Sequence, residues 1–295
     1  MSRTPKTARR LFDRFEPVHA VTYFTPEARK AFDDAGFRGF WMGYFAARSA
    51  PLGAVPAKVV TAVFYNFSRP HVARALPAAW EFGTPADALR ARETSAVAAL
   101  NRYGVTGEGA TATASALLER AARSAPLDGR PLFAANLALP WPDDPVAKLW
   151  HASTLLREQR GDAHVALLAA AGVSGRDSNV LHCVSDRVPR DFIMRSRQYD
   201  DDEWRACTGR LAARGVLDER GALTPAGVAL KARLEDETDR LALSAFDALD
   251  DDELELLFRT LTPLTRKVIA SGDIPAATPM GLSRDDLNDD GANLH

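Results

Sequence analysis

Hydrophobic residues recur at intervals of three and four along most of the chain. The clearest example is FRGFWMGYFAAR, residues 37–48, whose five aromatic side chains and final arginine fall on one helical face. Thr25 and Thr84 each precede a proline, a pair typical of a helix start. One apolar segment, VVTAVFYNF, fits a short strand or a buried helix equally well. The pattern therefore predicts a mainly α-helical protein.

A proline-rich bend, LALPWPDDP, divides the chain near its middle. We predict a helical, aromatic-rich domain over residues 11–140 and a second domain over residues 141–270. Residues 1–10 are basic and lead into no long apolar stretch, so we predict a flexible tail there. Residues 271–295 are rich in Gly, Pro, Asp and Asn, a composition typical of a disordered tail.

Residues 204–230 contain the parts of a winged helix in order. A helix ends with RLAARGVL, the turn DERG follows, and LTPAGVAL opens the next helix. This segment resembles the MarR-type winged helix, which implies a helix-turn-helix domain with a small β-hairpin wing. Over its whole length the chain resembles a bacterial family of similar size described as helix-turn-helix-like, through stretches such as FEPVHAVTYFTPEA and LREQRGDAHVALLAAAG. That second resemblance implies a shared fold and no particular activity.

The MarR-type resemblance implies that the helix at residues 203–214 and the wing contact DNA. Residues 200–203 are four consecutive acids, however, and residues 200–240 contain ten acids against seven basic residues. Carboxylates suit a helix N-terminus but repel the phosphate groups of DNA. A basic cluster just upstream offers phosphate contacts, or it is an ordinary ion-paired surface. Its members are Arg187, Arg190, Arg195 and Arg197.

Composition narrows the class of protein. A net charge of −2 over 295 residues gives no overall basic field that would attract nucleic acid. Two cysteines without a CxxC motif favour a reducing compartment, so we predict a cytoplasmic protein. The apolar runs reach only about a dozen residues, short of the roughly 20 that a membrane span needs. No histidine pair has metal-ligand spacing and no nucleotide-binding loop or GxSxG motif occurs, so we predict no metal and no cofactor.

The segment LWHASTLLREQRGDAHVALL concentrates polar side chains that could carry chemistry. On a continuous helix, His151, Glu158 and Asp162 share one face to within about 20°. Arg160 falls in the apolar stripe, where a buried guanidinium group needs a carboxylate or an anionic ligand. Three interpretations follow: an internal ion pair, a site for an anion, or a helix break at Gly161 that turns Arg160 outward.

Two histidines of this segment, His164 and His151, are candidates for a general acid or base. An unperturbed histidine titrates near neutrality, which suits that role. Glu158 and Asp162 are candidates for the same chemistry. A single histidine on a helix is also a common structural residue, so whether the protein is an enzyme stays open.

The aromatic segment at residues 37–48 is either plain core or one wall of a pocket. Burial of aromatic side chains stabilises a core without any further role, but aromatic walls with a few polar groups are also typical of small-molecule sites. We predict a site for a small organic, anionic molecule between the two halves. Its polar anchors would be Arg48, Arg160 and His164, and its further lining residues Trp41, Tyr44, His19, Tyr23 and Trp150.

Three functions are compatible with this interpretation. The first is a ligand-responsive transcription regulator that binds DNA through the winged helix. The second is a cofactor-free enzyme that uses His164 or His151 as acid or base, and the third is a binding or sequestering protein without catalytic activity. MarR-type proteins commonly dimerise through helices that flank the wing, so the long helix after LTPAG makes a homodimer a further expectation.

Overall fold

The structure, a computed structural model, describes residues 3–185, 188–276 and 280–294. These residues are mainly helical, which confirms the fold class read from the hydrophobic pattern, and they contain no β-strand. VVTAVFYNF begins with helix and not with a strand. The α-helices are α1 (Pro5–Phe24), α2 (Pro26–Asp34), α3 (Gly39–Ser49), α4 (Ala57–Phe64), α5 (Arg69–Ala75), α6 (Pro85–Arg102), α7 (Ala110–Ser124), α8 (Pro131–Leu137), α9 (Pro145–Ala170), α10 (Gly175–Val184), α11 (Arg190–Arg197), α12 (Asp201–Ala213), α13 (Pro225–Leu243) and α14 (Asp251–Ala270).

Helix α9 lies at the centre of the largest core. Asp144 caps its start by accepting a hydrogen bond from the backbone N–H of Ala147 at 2.8 Å, and the helix continues through Gly161 without a break. Helices α1, α6, α7, α8 and α13 pack around it, and α14 packs against α1 and α7. Because neighbours cover α9 on several sides, its polar side chains point into the interior and need partners there.

The N-terminal residues and the predicted domain boundary differ from the sequence interpretation. Residues 5–10, part of the predicted flexible tail, form the first turns of α1, and Thr7 and Arg10 are buried. The guanidinium group of Arg10 lies 4.8 Å from the ring centre of Phe258 in α14. The predicted boundary at residue 141 precedes α9, but α9 packs on helices from both predicted domains. The two halves therefore share one core.

The predicted C-terminal tail lies against this core. Residues 271–276 and 280–294 contain no helix, in line with their composition. Four of their apolar side chains are nevertheless buried, namely Ile274, Leu287, Ala292 and Leu294. Contact with α1 and α14 explains this burial, because Arg10 and Arg14 of α1 donate hydrogen bonds to backbone carbonyl groups of the segment.

A second core consists of aromatic side chains from α2 to α6. Phe45 of α3 packs against Phe64 and Phe67, with ring centres 6.0 and 5.0 Å apart. Trp41 lies one turn earlier in α3 and contacts His71 of α5, with ring centres 4.6 Å apart. The aromatic segment of residues 37–48 thus acts mainly as core.

The third core belongs to α10–α13, which we call the winged-helix unit after the predicted segment of residues 204–230 that it contains. Trp204, Cys207 and Leu211 of α12 meet Leu230 and Leu234 of α13 in this core. Gly227 at the start of α13 is required by close packing, because a Cβ atom there would lie 2.1 Å from the carbonyl oxygen of Val216.

The β-hairpin predicted for the wing does not form among the described residues. Residues 217–223, which we call the short wing, are joined by a single antiparallel bridge between Leu217 and Leu223. A tight turn follows directly after Leu217. The carboxylate of Asp218 stabilises this turn by accepting hydrogen bonds from the N–H groups of Arg220 and Ala222, both at 2.9 Å. Too few residues remain between the bridge and this turn for a ladder of strands.

The winged-helix unit contacts the rest of the chain closely at the start of α10. A Cβ atom on Gly175 would lie 1.9 Å from the carbonyl oxygen of Tyr65, so only glycine fits there. The Tyr65 hydroxyl donates a hydrogen bond to the carbonyl of Val173 at 2.6 Å, and the Asn179 amide donates to the carbonyl of Asn66 at 2.9 Å. Helix α13 packs on α1 and α9 as well. The homodimer expected through α13 stays a prediction and would use its exposed outer face, which carries Asp236 and Arg240.

None of the helices in the described residues combines the length and the apolar character that crossing a bilayer requires.

Candidate functional site

A cavity of about 190 Å³ lies between the winged-helix unit and the N-terminal helices. Helices α1, α3, α4, α8 and α9 contribute one side of its wall, and α10 and α13 contribute the other. Arg48, Arg160 and His164, the three predicted polar anchors, all line it. The apolar part of the wall comes from Val63, Phe64, Leu132, Val165, Leu168, Leu181, Leu234 and Met280.

Arg48 does not reach the cavity as a free cation. Its Nε and Nη2 atoms donate two parallel hydrogen bonds to the carboxylate of Glu158, at 3.0 and 3.1 Å. Arg157 donates to the same carboxylate at 2.9 Å. Burial alone would raise the pKa of Glu158, but the guanidinium groups of Arg157 and Arg48 outweigh it and hold that pKa well below its usual value. Glu158 is therefore an ionised structural partner and a poor candidate for a general acid.

Arg160 also has a carboxylate partner, which resolves the alternatives left by the sequence. Its Nε and Nη2 atoms donate to Asp239 of α13 at 3.0 and 2.8 Å, and Glu235 lies 3.4 Å from Nη2. The guanidinium group stacks over Phe12, 4.2 Å from the ring centre. Because both predicted guanidinium anchors carry their own acids, the main reason for expecting an anionic ligand is weakened.

Glu16 is the exception among the charged groups of the cavity. Its side chain is fully buried, and neither carboxylate oxygen accepts a hydrogen bond from the described residues. The nearest cation is Arg157, whose Nε atom lies 3.5 Å from Oε1, an ion pair by distance without a hydrogen bond. Burial raises the pKa of Glu16 to about 7, even though the charge of Arg157 opposes that change.

Asp162 is a second carboxyl group with a raised pKa. Desolvation and the charge of nearby Glu158 raise the pKa of Asp162 to about 7. Unlike Glu16, it has a hydrogen-bond donor, because its carboxylate accepts from the backbone N–H of Phe133 at 2.9 Å. Asp162 of α9 thus provides an acceptor for a backbone N–H group in the first turn of α8, where such groups have no partner within the helix.

The hydrogen bonds of His164 fix its tautomer. The Thr238 hydroxyl donates its only proton to the carbonyl of Leu234 at 2.6 Å, so it accepts from Nδ1 of His164 at 2.8 Å. Burial lowers the pKa of His164 to about 4, so the ring is neutral at pH 7. Nε2 is then a hydrogen-bond acceptor on a side chain that lines the cavity.

His151, the other candidate acid or base, is not part of the cavity wall. Its ring packs edge-on against Trp141, with ring centres 4.8 Å apart, and its Nε2 atom is buried without a partner among the described residues. Burial lowers the pKa of His151 to about 4. The two histidines therefore cannot act on one molecule in this cavity.

The remaining predicted lining residues belong to the neighbouring core and not to the cavity. The two ring nitrogens of His19 form hydrogen bonds with the hydroxyl groups of Thr154 and Tyr23, both at 2.9 Å. The Trp150 indole donates to the carbonyl of His19 at 3.3 Å. Tyr44 packs on Tyr23 with ring centres 5.2 Å apart. Core packing accounts for these residues, which are His19, Tyr23, Trp41, Tyr44 and Trp150.

The arginines predicted to contact DNA fall into different environments. Arg195 is exposed and has no side-chain partner among the described residues, and Arg190 is exposed and pairs with Asp201 at 3.1 Å. Arg197 is buried, with 8% of its surface exposed, and its guanidinium group lies 4.3 Å from the ring centre of Phe67. Burial therefore keeps the Arg197 guanidinium group away from the exposed surface that the prediction assumed. Arg187 lies outside the described residues.

Helix α12 exposes further cations that the sequence analysis did not select. Arg205 pairs with Asp202 on the same helix, and Arg210 pairs with Asp177 at 2.7 Å. Arg214 donates hydrogen bonds to the carbonyl oxygens of Gly172 and Ala171. The spacing of Trp204, Cys207 and Leu211 identifies the buried face of α12, and it could have pointed to these arginines on the other faces.

Glu16 and the acids of α13 were missed for a different reason. The predicted flexible tail covers residues 1–10, so the sequence interpretation does not define the buried face of α1, which begins at Pro5 and continues through Glu16. Phe12, Phe15 and His19 recur at helical spacing around Glu16, a signal for a buried carboxylate. Nothing local links Asp239 to Arg160, because the two residues are far apart in sequence.

Comparison with known sequences and structures gives one match. A sequence model described as a helix-turn-helix family matches residues 8–275. No curated protein and no solved structure matches the chain. Among the described residues, no group of three or more His, Cys, Asp or Glu side chains is arranged to hold a metal ion.

Proposed function

Because the chain belongs to a helix-turn-helix family, we propose that it is a DNA-binding regulator that contacts DNA through its winged-helix unit. The observation that carries this proposal is the outer face of α12, formed by Asp202, Arg205, Ala206, Gly209 and Ala213, all exposed. Trp204, Cys207 and Leu211 anchor the opposite face in the core of the unit. A helix held in this way can enter a major groove with its outer face.

Exposed arginines around this face supply the phosphate contacts. Arg195 lies on α11, Arg205 and Arg210 lie on α12, and Arg220 lies in the short wing. Exposed ion pairs are worth only about 0–1 kcal/mol each, so Arg205 can exchange Asp202 for a phosphate at little cost. Residues 200–220 contain six acids and four arginines, so we expect modest affinity that depends strongly on salt.

The test is DNA binding measured by fluorescence anisotropy with duplexes selected from a random-sequence pool. We expect binding at about 50 mM salt and a clear loss at about 200 mM, because phosphate contacts release counterions. The variant Arg195→Glu/Arg205→Glu should weaken binding, and the matched variant Arg29→Glu, an exposed arginine of α2, should not. Absence of binding by the wild-type protein at the lower salt concentration would contradict the proposal.

A second part of the proposed function is a small-molecule site in the cavity. Its support is the wall itself, because α10 and α13 of the winged-helix unit contribute Asn179, Lys231 and Glu235 beside residues of α1 and α9. A molecule that contacts both sides can shift the position of the winged-helix unit and thereby its DNA affinity, if it binds one arrangement better. Ligand binding should then raise the melting temperature.

A further inference from the structure

The cationic side chains of the cavity already have anionic partners. Five cationic side chains line the wall, and each has a carboxylate partner within ion-pair distance. Glu158 serves both Arg48 and Arg157, Asp239 serves Arg160, and Glu235 serves Lys231. An anionic ligand would have to separate these buried pairs, and breaking a buried pair is strongly unfavourable.

Glu16, in contrast to these cations, lacks a hydrogen-bond donor among the described residues. Its carboxylate is fully buried, lines the cavity and accepts no hydrogen bond from the described residues. Nε2 of neutral His164 adds a second acceptor on the same wall. A buried carboxylate without hydrogen bonds is costly, and a ligand that donates hydrogen bonds removes that cost.

The rest of the wall matches an apolar body. Phe64, Leu168 and Leu234 contribute to an apolar lining drawn from α4, α9 and α13. A cavity of about 150 Å³ can hold benzene, so the observed volume of about 190 Å³ leaves room for a ring and a short polar arm. The Arg48 guanidinium group lies 4.3 Å from the ring centre of Phe64, with its charge compensated by Glu158.

From this arrangement we infer that the cavity binds a small primary amine with an apolar body, whose ammonium group donates hydrogen bonds to Glu16. The inference rests on the proposed small-molecule site and names its ligand class. It replaces the anionic ligand expected from Arg48 and Arg160, because those two groups are already neutralised. The ammonium ion supplies the hydrogen-bond donors that Glu16 lacks, beside the Arg157 guanidinium group at 3.5 Å. The apolar body fills the space between α4, α9 and α13.

The test compares three probes of nearly equal size: benzylamine, benzyl alcohol and benzoate. Isothermal titration calorimetry at pH 8 should give the tightest binding for benzylamine, about 10- to 100-fold tighter than for the alcohol, since a charge-assisted hydrogen bond contributes more than a neutral one. Tighter binding of benzoate would overturn the amine inference and keep the small-molecule site. No binding of any probe would overturn both, and the DNA-binding test would be unaffected.

Two variants separate direct pairing from a general change of charge. Glu16→Gln and Glu235→Gln each remove one negative charge from the cavity wall, but Glu235 already pairs with Lys231. We expect Glu16→Gln to weaken benzylamine binding about 10- to 100-fold and Glu235→Gln to weaken it less than about threefold. Equal losses in the two variants would contradict a direct contact with Glu16. Should Glu16→Gln not fold, the ranking of the three probes on the wild-type protein still decides the inference.

Discussion

Arginine–carboxylate pairs occur in two very different settings in this protein. At the cavity, Glu158 is buried and holds Arg48 and Arg157 together. On the outer face of α12, Arg205 and Asp202 form a pair with both side chains largely exposed. The chemistry of the two pairs is the same, but their surroundings differ in dielectric and in access to water.

This difference determines what each region can do. Breaking a buried pair is strongly destabilising, because the charge that remains is not hydrated. An exposed pair contributes little and can be exchanged for another anion. The buried pairs therefore fix the architecture around α9, whereas Glu16 accepts no hydrogen bond from the described residues and has Arg157 at 3.5 Å as its nearest cation. The exposed pair on α12 can exchange its carboxylate for a phosphate group, which the proposed DNA contact requires.

The largest expected effect comes from breaking the buried network. Glu158→Gln removes the acid shared by Arg48 and Arg157 and leaves two buried guanidinium groups without a full charge partner. We expect the free energy of unfolding, measured by urea denaturation, to fall by about 3–5 kcal/mol. The exposed control Asp201→Asn should change it by about 1 kcal/mol or less. Similar losses in the two variants would remove the distinction between the regions.

The second prediction concerns the pH dependence of stability caused by Glu16. Its pKa is raised to about 7 by burial, so the folded state keeps a proton that the unfolded state releases near pH 4.5. The contribution of Glu16 to stability is therefore greatest below pH 4.5 and is lost as pH rises through about 7. Relative to the wild type, Glu16→Gln should gain about 2 kcal/mol of stability between pH 5 and pH 8.

Chemical denaturation of both proteins at these two pH values gives this difference directly. The difference between the unfolding free energies of the two proteins cancels the contributions of the buried histidines, such as His164. Their lowered pKa values change stability with pH in the opposite direction. A stability difference that does not change with pH would mean that Glu16 is ionised throughout and already paired.

A smaller effect is expected on the surface of the winged-helix unit. Arg195→Ala should weaken DNA binding by about 1 kcal/mol and reduce the slope of log affinity against log salt by about 1, because one phosphate contact is lost. Arg197→Ala is not a suitable comparison, since Arg197 is buried against Phe67 and its loss would affect packing. Arg29→Ala provides the exposed control, and an equal loss in that variant would contradict the assignment of this surface.

The smallest expected effects come from Asp202→Asn, which should lower stability and raise DNA affinity. Asp202→Asn removes a negative charge from the first turn of α12, which should lower stability by less than about 1 kcal/mol. It also frees Arg205 and removes an acid that faces phosphate, so DNA affinity should rise a few-fold. Anisotropy titrations and thermal melts on the same preparation measure the two effects. A fall in both quantities would place DNA on another surface.

The sequence predicts local features well where a repeat of three and four residues is strong. The mainly helical fold and the capped start at Thr84 follow from such patterns. The need of Arg160 for a partner also follows, because the arginine falls in an apolar stripe. The identity of that partner, Asp239, depends on how α13 packs on α9, and no local pattern encodes that arrangement.

The failures have a common physical origin in long-range packing. Basic residues at the start of the chain are typical of a loose tail, but Arg10 and Arg14 are covered by α14 and by the C-terminal segment. The aromatic segment of residues 37–48 has the composition of a pocket wall, yet its rings pack on one another and only Arg48 reaches the cavity. In both cases tertiary neighbours decide whether a side chain is exposed.

Hydrogen–deuterium exchange of the wild-type protein with and without a saturating selected DNA duplex tests the central claim most directly. The account predicts slower exchange in α12 and the short wing, residues 201–224, and no change in α3 or α9. Protection confined to α3 or α9, with residues 201–224 unaffected, would contradict it.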